Sequence, residues 1–222
     1  MKYEICTDVA YDHIAFTLEL EALIPEVGAV CFGSLAQREN DETAETVRRL
    51  LCELGDDVLK VYDINMRPTC DVGQADNIFK ESLKLANVLK INEPELVKLA
   101  GLYGVANLSD EEICRYFIKE CNLNMLIHTL GDKGSIVYYK VGQEILKNRC
   151  SVHMDDVLSE LGTIKDVNCD TVGAGDSFTA AFISSLLKGK PIKEAHELAS
   201  RLATYVCTKQ GAMPQMDESI LF

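Results

Sequence analysis

The amino-acid sequence predicts an α/β fold with a mainly parallel sheet in this chain of 222 residues. Short apolar segments with the composition of strands alternate with longer segments in which apolar residues recur at helical spacing. This alternation is typical of parallel strands joined by helices that cover both faces of a sheet. The length suffices for one such fold with its own core, so we predict a single domain over residues 1–222.

Composition argues against several functional classes. No apolar run reaches the ~18–20 residues of a membrane helix, and the N-terminus lacks a signal-peptide pattern. We therefore expect a cytoplasmic protein without a membrane partner. The formal net charge of −13 argues against a nucleic-acid partner. The nine cysteines include no C-x-x-C pair, and their odd number predicts reduced, mostly buried thiols rather than a disulfide framework.

The first quarter of the chain predicts two helices and a strand after a short N-terminal segment. Residues 3–6 alternate like the end of a strand. Residues 17–24 predict a short helix that ends at Pro25, and the apolar run at 29–32 predicts a buried strand. Asn40 can cap a helix over 41–54, which Gly55 ends. The apolar face of that helix consists of Val47, Leu50, Leu51 and Leu54.

The remainder of the chain repeats strands and helices before two closing helices. Apolar runs predict strands at 58–63, 88–91 and 125–129. Helical spacing predicts helices at 74–86, 93–101 and 109–121, the last opened by a capping box of Ser109 and Glu112. Alternation predicts an antiparallel hairpin at 134–140 and 144–148. The stretch 151–168 shows no clear pattern, and helices are predicted at 175–188 and 191–209.

The string D-T-V-G-A-G-D-S-F, from Asp170 to Phe178, stands at the start of the first closing helix. Small residues before a helix leave its first N–H groups open at the positive end of the helix dipole, where phosphate binds. Asp176 would lie in the first turn beside this anion, an arrangement suited to phosphoryl transfer. The simpler alternative is a tight turn with ordinary charge compensation at a helix start.

The complete string resembles the signature of the ribokinase-like (PfkB) carbohydrate kinases, and the resemblance runs in order from about Tyr3 to Pro214. It implies a ribokinase-like three-layer α/β/α fold. Family members begin with further residues, so we expect the N-terminal strand or strands and most of the β-lid to be missing, with residues 1–6 a remnant of the lid. The resemblance also implies that Asp176 is the catalytic base and that the transferred phosphoryl group is held by Gly173, Ala174 and Gly175.

A second motif, D-I-N-M-R, follows the predicted strand at 58–63. By itself it is equally well explained as a polar turn before Pro68. It resembles the D-x-N-x-R of fructokinase-type members, in which the Arg lies near the sugar and the transferred group. The resemblance therefore implies a substrate-binding set of Asp63, Asn65, Arg67 and Asp176.

Two further segments resemble the family's nucleotide site. Asn92 and Glu95 have the spacing of a capping box, and the resemblance places Asn92 by the phosphates and lets Glu95 act on Mg²⁺ through water. Thr129, Gly131 and Gly134 match a segment that lines the nucleotide together with Gly175, although any tight turn could use two glycines. Residues 209–214 resemble the turn over the adenine, and a helix stop explains them equally well.

The resemblance implies an ATP-dependent sugar kinase that phosphorylates a primary hydroxyl, with fructose as the expected sugar. Its cofactors would be ATP and Mg²⁺, with K⁺ held near Asp170 and Thr171 in members that need it. Exposed strand edges would favour a homodimer or another oligomer. The alternative, from another class, is a truncated, non-catalytic remnant or a subunit that binds nucleotide only.

Overall fold

The strands form one six-stranded sheet in chain order, as the predicted α/β class requires. The computed structural model describes residues 5–38, 41–66, 72–152, 154–160 and 170–216. The strands are β1 (Ala29–Gly33), β2 (Leu59–Asp63), β3 (Val88–Asn92), β4 (Met125–Thr129), β5 (Ser135–Val141) and β6 (Glu144–Cys150). The α/β class and the six predicted strands from β1 to β6 are thereby confirmed.

The register of the first three strands brings their carboxyl ends to one edge. β1 and β2 pair in parallel with Gly33 opposite Asp63, and β2 and β3 pair in parallel with Asp63 opposite Lys90. Polar residues that follow these strands therefore lie near one another. Between β5 and β6 the two residues Gly142 and Gln143 form a turn, and the positive φ of Gly142 suits the predicted antiparallel hairpin.

Helices occupy most of the remaining described chain. They are α1 (Leu18–Leu23), α2 (Asp41–Glu53), α3 (Val72–Leu85), α4 (Glu93–Leu102), α5 (Asp110–Glu120), α6 (Met154–Glu160), α7 (Ala174–Leu187) and α8 (Ile192–Cys207). Ser109 and Glu112 form the predicted capping box of α5. α6 was not predicted, because its seven residues carry too little periodicity to stand out. No helix in the described ranges is long and apolar enough to cross a membrane.

A hydrophobic cluster packs α2 against the sheet. Leu51, Leu54 and Val58 are buried at its centre, and Val30 and Phe32 of β1 pack against them. The predicted apolar face of α2 is therefore confirmed. The burial expected for β1 is wrong, because among the described residues β1 pairs only with β2 and leaves Cys31 exposed.

Two smaller expectations also need correction. Residues 5 and 6 are described and do not form a strand, while residues 1–4 and Asn40 lie outside the described residues. The seven described cysteines are all free, as predicted, but Cys114 is the one of them that is buried.

The chain divides into two compact units. The first comprises residues 1–128 with 138–146, and the second comprises 129–137 with 147–222. Asp63, Asn65, Asn92 and Glu95 belong to the first unit. The turn at 129–134 and the string at 170–178 belong to the second. A single domain over 1–222 stays a prediction.

Candidate active site

The start of α7 has open backbone donors. Gly173 is its N-cap, with a left-handed φ of 82° and no side-chain cap. Ala174 N donates to Thr171 O at 3.3 Å, and Ser177 N donates to Gly173 O at 2.9 Å. Gly175 and Asp176 lie between these two residues, and their amides donate to no acceptor within the part of the chain that the structure describes. These two N–H groups lie at the positive end of the helix dipole and can receive an anion.

Asp176 is the acidic residue of this first turn, and its side chain is exposed. A carboxylate in this place is within reach of a group bound to the open amides. It can orient a donor such as a hydroxyl and accept its proton. The arrangement therefore fits an anion site with an adjacent base.

Asp170 fastens the loop that precedes α7. Its Oδ1 accepts from Val172 N and its Oδ2 accepts from Gly211 N, both at 3.1 Å. Its own amide donates to Cys207 O at 3.2 Å. Asp170 thus ties the loop to the turn after α8, which includes part of the predicted segment 209–214. A role of Asp170 and the exposed Thr171 at a monovalent cation stays a prediction.

Gly173 is required by both its conformation and its packing. A Cβ at this position would lie 2.4 Å from Ala212 O and 2.7 Å from Ala212 Cα. Gly189, at the end of α7, has a similar φ of 76°, yet a Cβ there would meet nothing within 4 Å. A side chain at Gly189 would meet only the cost of a left-handed backbone, whereas a side chain at Gly173 would also clash with Ala212. Comparing substitutions at the two glycines therefore separates these two costs.

We expect Gly173→Ala to lower the free energy of unfolding by about 2 kcal/mol more than Gly189→Ala. Each variant places a side chain at positive φ, at a cost of ~1–2 kcal/mol, and only Gly173→Ala also forces two backbone segments apart. Urea unfolding of both variants measures the difference. Equal losses would show that the contact with Ala212 yields without cost.

The turn from Thr129 to Gly134 follows β4 and is tightly closed. Leu130 N donates to Gly134 O at 2.8 Å, and Gly134 N donates to Gly131 O at 3.1 Å. Gly134 has a φ of 88°, and a Cβ there would lie 2.2 Å from Cys150 O. The two glycines therefore serve a tight turn, and contact of this turn with a nucleotide stays a prediction.

His196 of α8 is a fully buried residue that sequence reasoning did not single out. Its Nε2 is 2.7 Å from Ser135 Oγ, and its Nδ1 is 2.7 Å from Asn148 Oδ1. The rings of Phe178 and Phe182 meet the imidazole edge to face. Burial lowers the pKa of His196 to about 4, so the residue is neutral at physiological pH.

This neutral imidazole predicts acid destabilisation. In the unfolded chain the pKa is near 6.5 and in the folded chain about 4, so between these values only the unfolded state takes up the proton. Through His196 alone, the free energy of unfolding should fall by about 2 kcal/mol from pH 7.5 to pH 5. His128, whose pKa burial also lowers, acts in the same direction.

Urea unfolding at several pH values, compared between the wild type and His196→Gln, isolates this contribution. The variant should lack this part of the pH dependence, while that of His128 remains in both proteins. Parallel pH profiles for the two proteins would contradict the assignment.

In the first unit, Asp63 is paired with a buried lysine. Its Oδ2 lies 2.6 Å from Lys90 Nζ, and the two side chains are 17% and 9% exposed. Lys90 was not among the predicted site residues. The available signal was a charged residue in the otherwise apolar strand V-L-K-I-N, where a core side chain would be expected. The ion pair with Lys90 therefore fixes the Asp63 side chain and balances the negative charge of its carboxylate.

Asn92 and Glu95 form the predicted capping box of α4. Asn92 Oδ1 accepts from Glu95 N, and Glu95 Oε2 accepts from Asn92 N, both at 3.0 Å. Glu95 Oε1 also accepts from Met66 N at 2.8 Å, so one buried carboxylate joins α4 to the segment after β2. Burial raises the pKa of Glu95. Asn65 in this segment has a left-handed φ of 44°, and Arg67 lies outside the described residues.

The described residues include no group of three or more His, Cys, Asp or Glu that could hold a metal ion. Mg²⁺ usually keeps several waters and binds through one or two carboxylates together with substrate phosphates. Glu95 is compatible with such a place, and its role toward Mg²⁺ stays a prediction.

Comparison with known proteins identifies the family. The family described as pfkB family carbohydrate kinase matches residues 6–219. The chain belongs to the PfkB family of carbohydrate kinases. The PfkB match includes every candidate site residue described above.

Individual PfkB relatives agree with this result. An uncharacterized sugar kinase of Pyrococcus horikoshii is 30% identical over 97% of this chain and 62% of its own length. Its solved structure has a TM-score of 0.67 at 26% identity, covering 93% of this chain and 60% of that one. The ribokinase of Dictyostelium discoideum is 30% identical over 65% of this chain and 45% of its own length.

The fold of a fructokinase is also similar. The structure of Vibrio cholerae fructokinase with fructose, ADP and calcium has a TM-score of 0.63 at 22% identity, covering 83% of this chain and 56% of that one. These likenesses confirm the predicted ribokinase-like three-layer α/β/α fold. The chain spans about half to three fifths of the length of these PfkB relatives. Both ribokinases and fructokinases are similar to this chain. The comparisons therefore identify the PfkB family but not a branch within it.

Proposed function

We propose that this protein is an ATP-dependent sugar kinase that transfers the γ-phosphoryl group to a primary hydroxyl of a sugar, with fructose as the substrate. The observation that carries the proposal is the exposed carboxylate of Asp176 in the first turn of α7, directly beside two open backbone amides. Membership of the PfkB family gives this arrangement its chemical context.

In the proposed mechanism, the start of α7 stabilises the transferred phosphoryl group. The N–H groups of Gly175 and Asp176 donate hydrogen bonds to the phosphate oxygens and stabilise their negative charge, and the Gly173–Ala174 backbone lies against the same phosphate. Mg²⁺, when bound, supplies charge neutralisation at the phosphates. Asp176 orients the sugar hydroxyl and accepts its proton. An aspartate is a weak base, but a loose transition state requires the hydroxyl proton to leave only late.

We assign the remaining predicted residues to substrate, nucleotide and cation. Asp63, Asn65 and Arg67 are proposed to bind the sugar, and the D-x-N-x-R pattern favours fructose. Asn92, Thr129, Gly131 and Gly134 are proposed to contact ATP, with Glu95 acting on Mg²⁺ through water. Asp170 and Thr171 are the proposed ligands if K⁺ takes part. A cytoplasmic location and a homodimer or other oligomer belong to the same proposal.

The experiment is ADP release by the 222-residue chain with Mg-ATP and a panel of sugars that includes fructose and ribose. Fructose-dependent release is the expected result. Release with ribose and not with fructose would retain the kinase and overturn the proposed sugar.

A second candidate is nucleotide binding without sugar phosphorylation, as a non-catalytic remnant or a subunit. It is favoured by the open amides of Gly175 and Asp176, which can receive a phosphate group whether or not a sugar binds. Thermal stabilisation by Mg-ATP, with no ADP release under any sugar, would support this candidate over the kinase.

A further inference from the structure

We propose that His196 is a positioning residue that holds the turn at 129–134 and the start of α7 in their relative places, so that nucleotide binding depends on it. The inference rests on the proposed function, because it assumes that these two segments contact ATP. The segments are far apart in sequence but belong to the same compact unit. His196 contacts Ser135, which follows the turn, and Phe178, which lies in α7 two residues after Asp176.

The first connection runs through Ser135. Its hydroxyl is 2.7 Å from His196 Nε2, and Ser135 follows immediately on Gly134, the last residue of the turn. On the other side of the ring, Nδ1 lies 2.7 Å from Asn148 Oδ1 in β6. Since a neutral imidazole donates from one nitrogen and accepts at the other, Nδ1–H donates to Asn148 and Nε2 accepts from Ser135. Both strands of the hairpin are thereby fixed to α8.

The second connection runs through the aromatic rings of α7. Phe178 lies 5.8 Å and Phe182 lies 6.2 Å from the imidazole, centroid to centroid, and both meet it edge to face. Phe178 is two residues after Asp176. The imidazole therefore fixes the rotation of α7 close to its first turn, where the open amides lie.

The Ser135–His196–Asn148 chain has the residue types of a hydrolytic triad, but burial excludes that use. His196 is fully buried and Ser135 is 2% exposed, so no substrate can reach the hydroxyl. A positioning role is the function that remains compatible with the geometry.

The experiment compares His196→Leu and Ser135→Ala with Leu202→Ala, a substitution at a buried residue of α8 that is not a member of either connection. His196→Gln, which keeps two uncharged hydrogen-bonding ends, serves if His196→Leu does not fold. Affinity for Mg-ATP is measured by calorimetry below the unfolding transition of every variant. Hydrogen exchange without nucleotide is followed at the amides of Gly134 and Ser177, which are bonded to Gly131 O and Gly173 O.

We expect His196→Leu to weaken Mg-ATP binding at least ~10-fold and to speed exchange at both amides, with partial recovery in His196→Gln. The His196→Leu/Ser135→Ala double variant should bind no more weakly than His196→Leu alone, because both changes remove the same connection. Affinity and exchange that change no more than in Leu202→Ala would overturn the inference. If the wild type does not bind Mg-ATP, the proposed function fails, and the exchange at the two amides still decides the role of His196.

Discussion

Replacing Asp176 with Asn is expected to lower the turnover of sugar phosphorylation at least ~10²-fold, the scale of a general acid–base group. The amide keeps the size of the side chain and its place in the first turn of α7, but it cannot accept the hydroxyl proton. Affinity for Mg-ATP should change little, because the open N–H groups of Gly175 and Asp176 belong to the backbone. Steady-state ADP release measures turnover, and calorimetry measures affinity.

Glu194→Gln is the matched control for this variant. Glu194 is the acidic residue in the first turn of α8, in the same place along its helix as Asp176 in α7. Both substitutions remove a charge that compensates a helix dipole, at a cost of ~0.3–1 kcal/mol in stability. Only Asp176→Asn should affect turnover. Near-normal turnover in Asp176→Asn would exclude Asp176 as the base.

The parts of the fold that the sequence predicts well depend on local signals. α5 begins where Ser109 and Glu112 form their capping box, and α4 begins at the box of Asn92 and Glu95. These interactions join residues three positions apart, so their spacing is visible in the sequence. The string from Asp170 to Phe178 likewise encodes a small-residue turn, a helix start and a first-turn acid.

The parts that the sequence does not predict depend on distant partners. Lys90 pairs with Asp63 from 27 positions away, and His196 meets Ser135 from 61 positions away. No periodic pattern marks such pairs, and they follow only from strand register and helix packing. The exposure of Cys31 has the same origin, since an apolar run does not reveal whether its strand has one neighbour or two.

Replacing Lys90 with Met is expected to lower the free energy of unfolding by about 4 kcal/mol. The substitution leaves the Asp63 carboxylate without its cation at a position where it is 17% exposed, and breaking a buried pair from one side is costly for this reason. Urea unfolding at neutral pH measures the loss. Lys84→Met is the control, because Lys84 is 73% exposed and lies 3.7 Å from Glu81. Its effect should stay below ~0.5 kcal/mol.

The double variant Asp63→Asn/Lys90→Met tests the physical cause of that loss. If the cost of Lys90→Met comes from an unpaired buried charge, removing the charge of Asp63 as well should recover most of the stability. If the double variant is as unstable as Lys90→Met, the loss comes from packing of the lysine stem rather than from charge. If the double variant is stable but lacks sugar-dependent turnover, Asp63 has two separate roles. Its ion pair with Lys90 would then stabilise the fold, and its carboxylate at the end of β2 would bind the sugar.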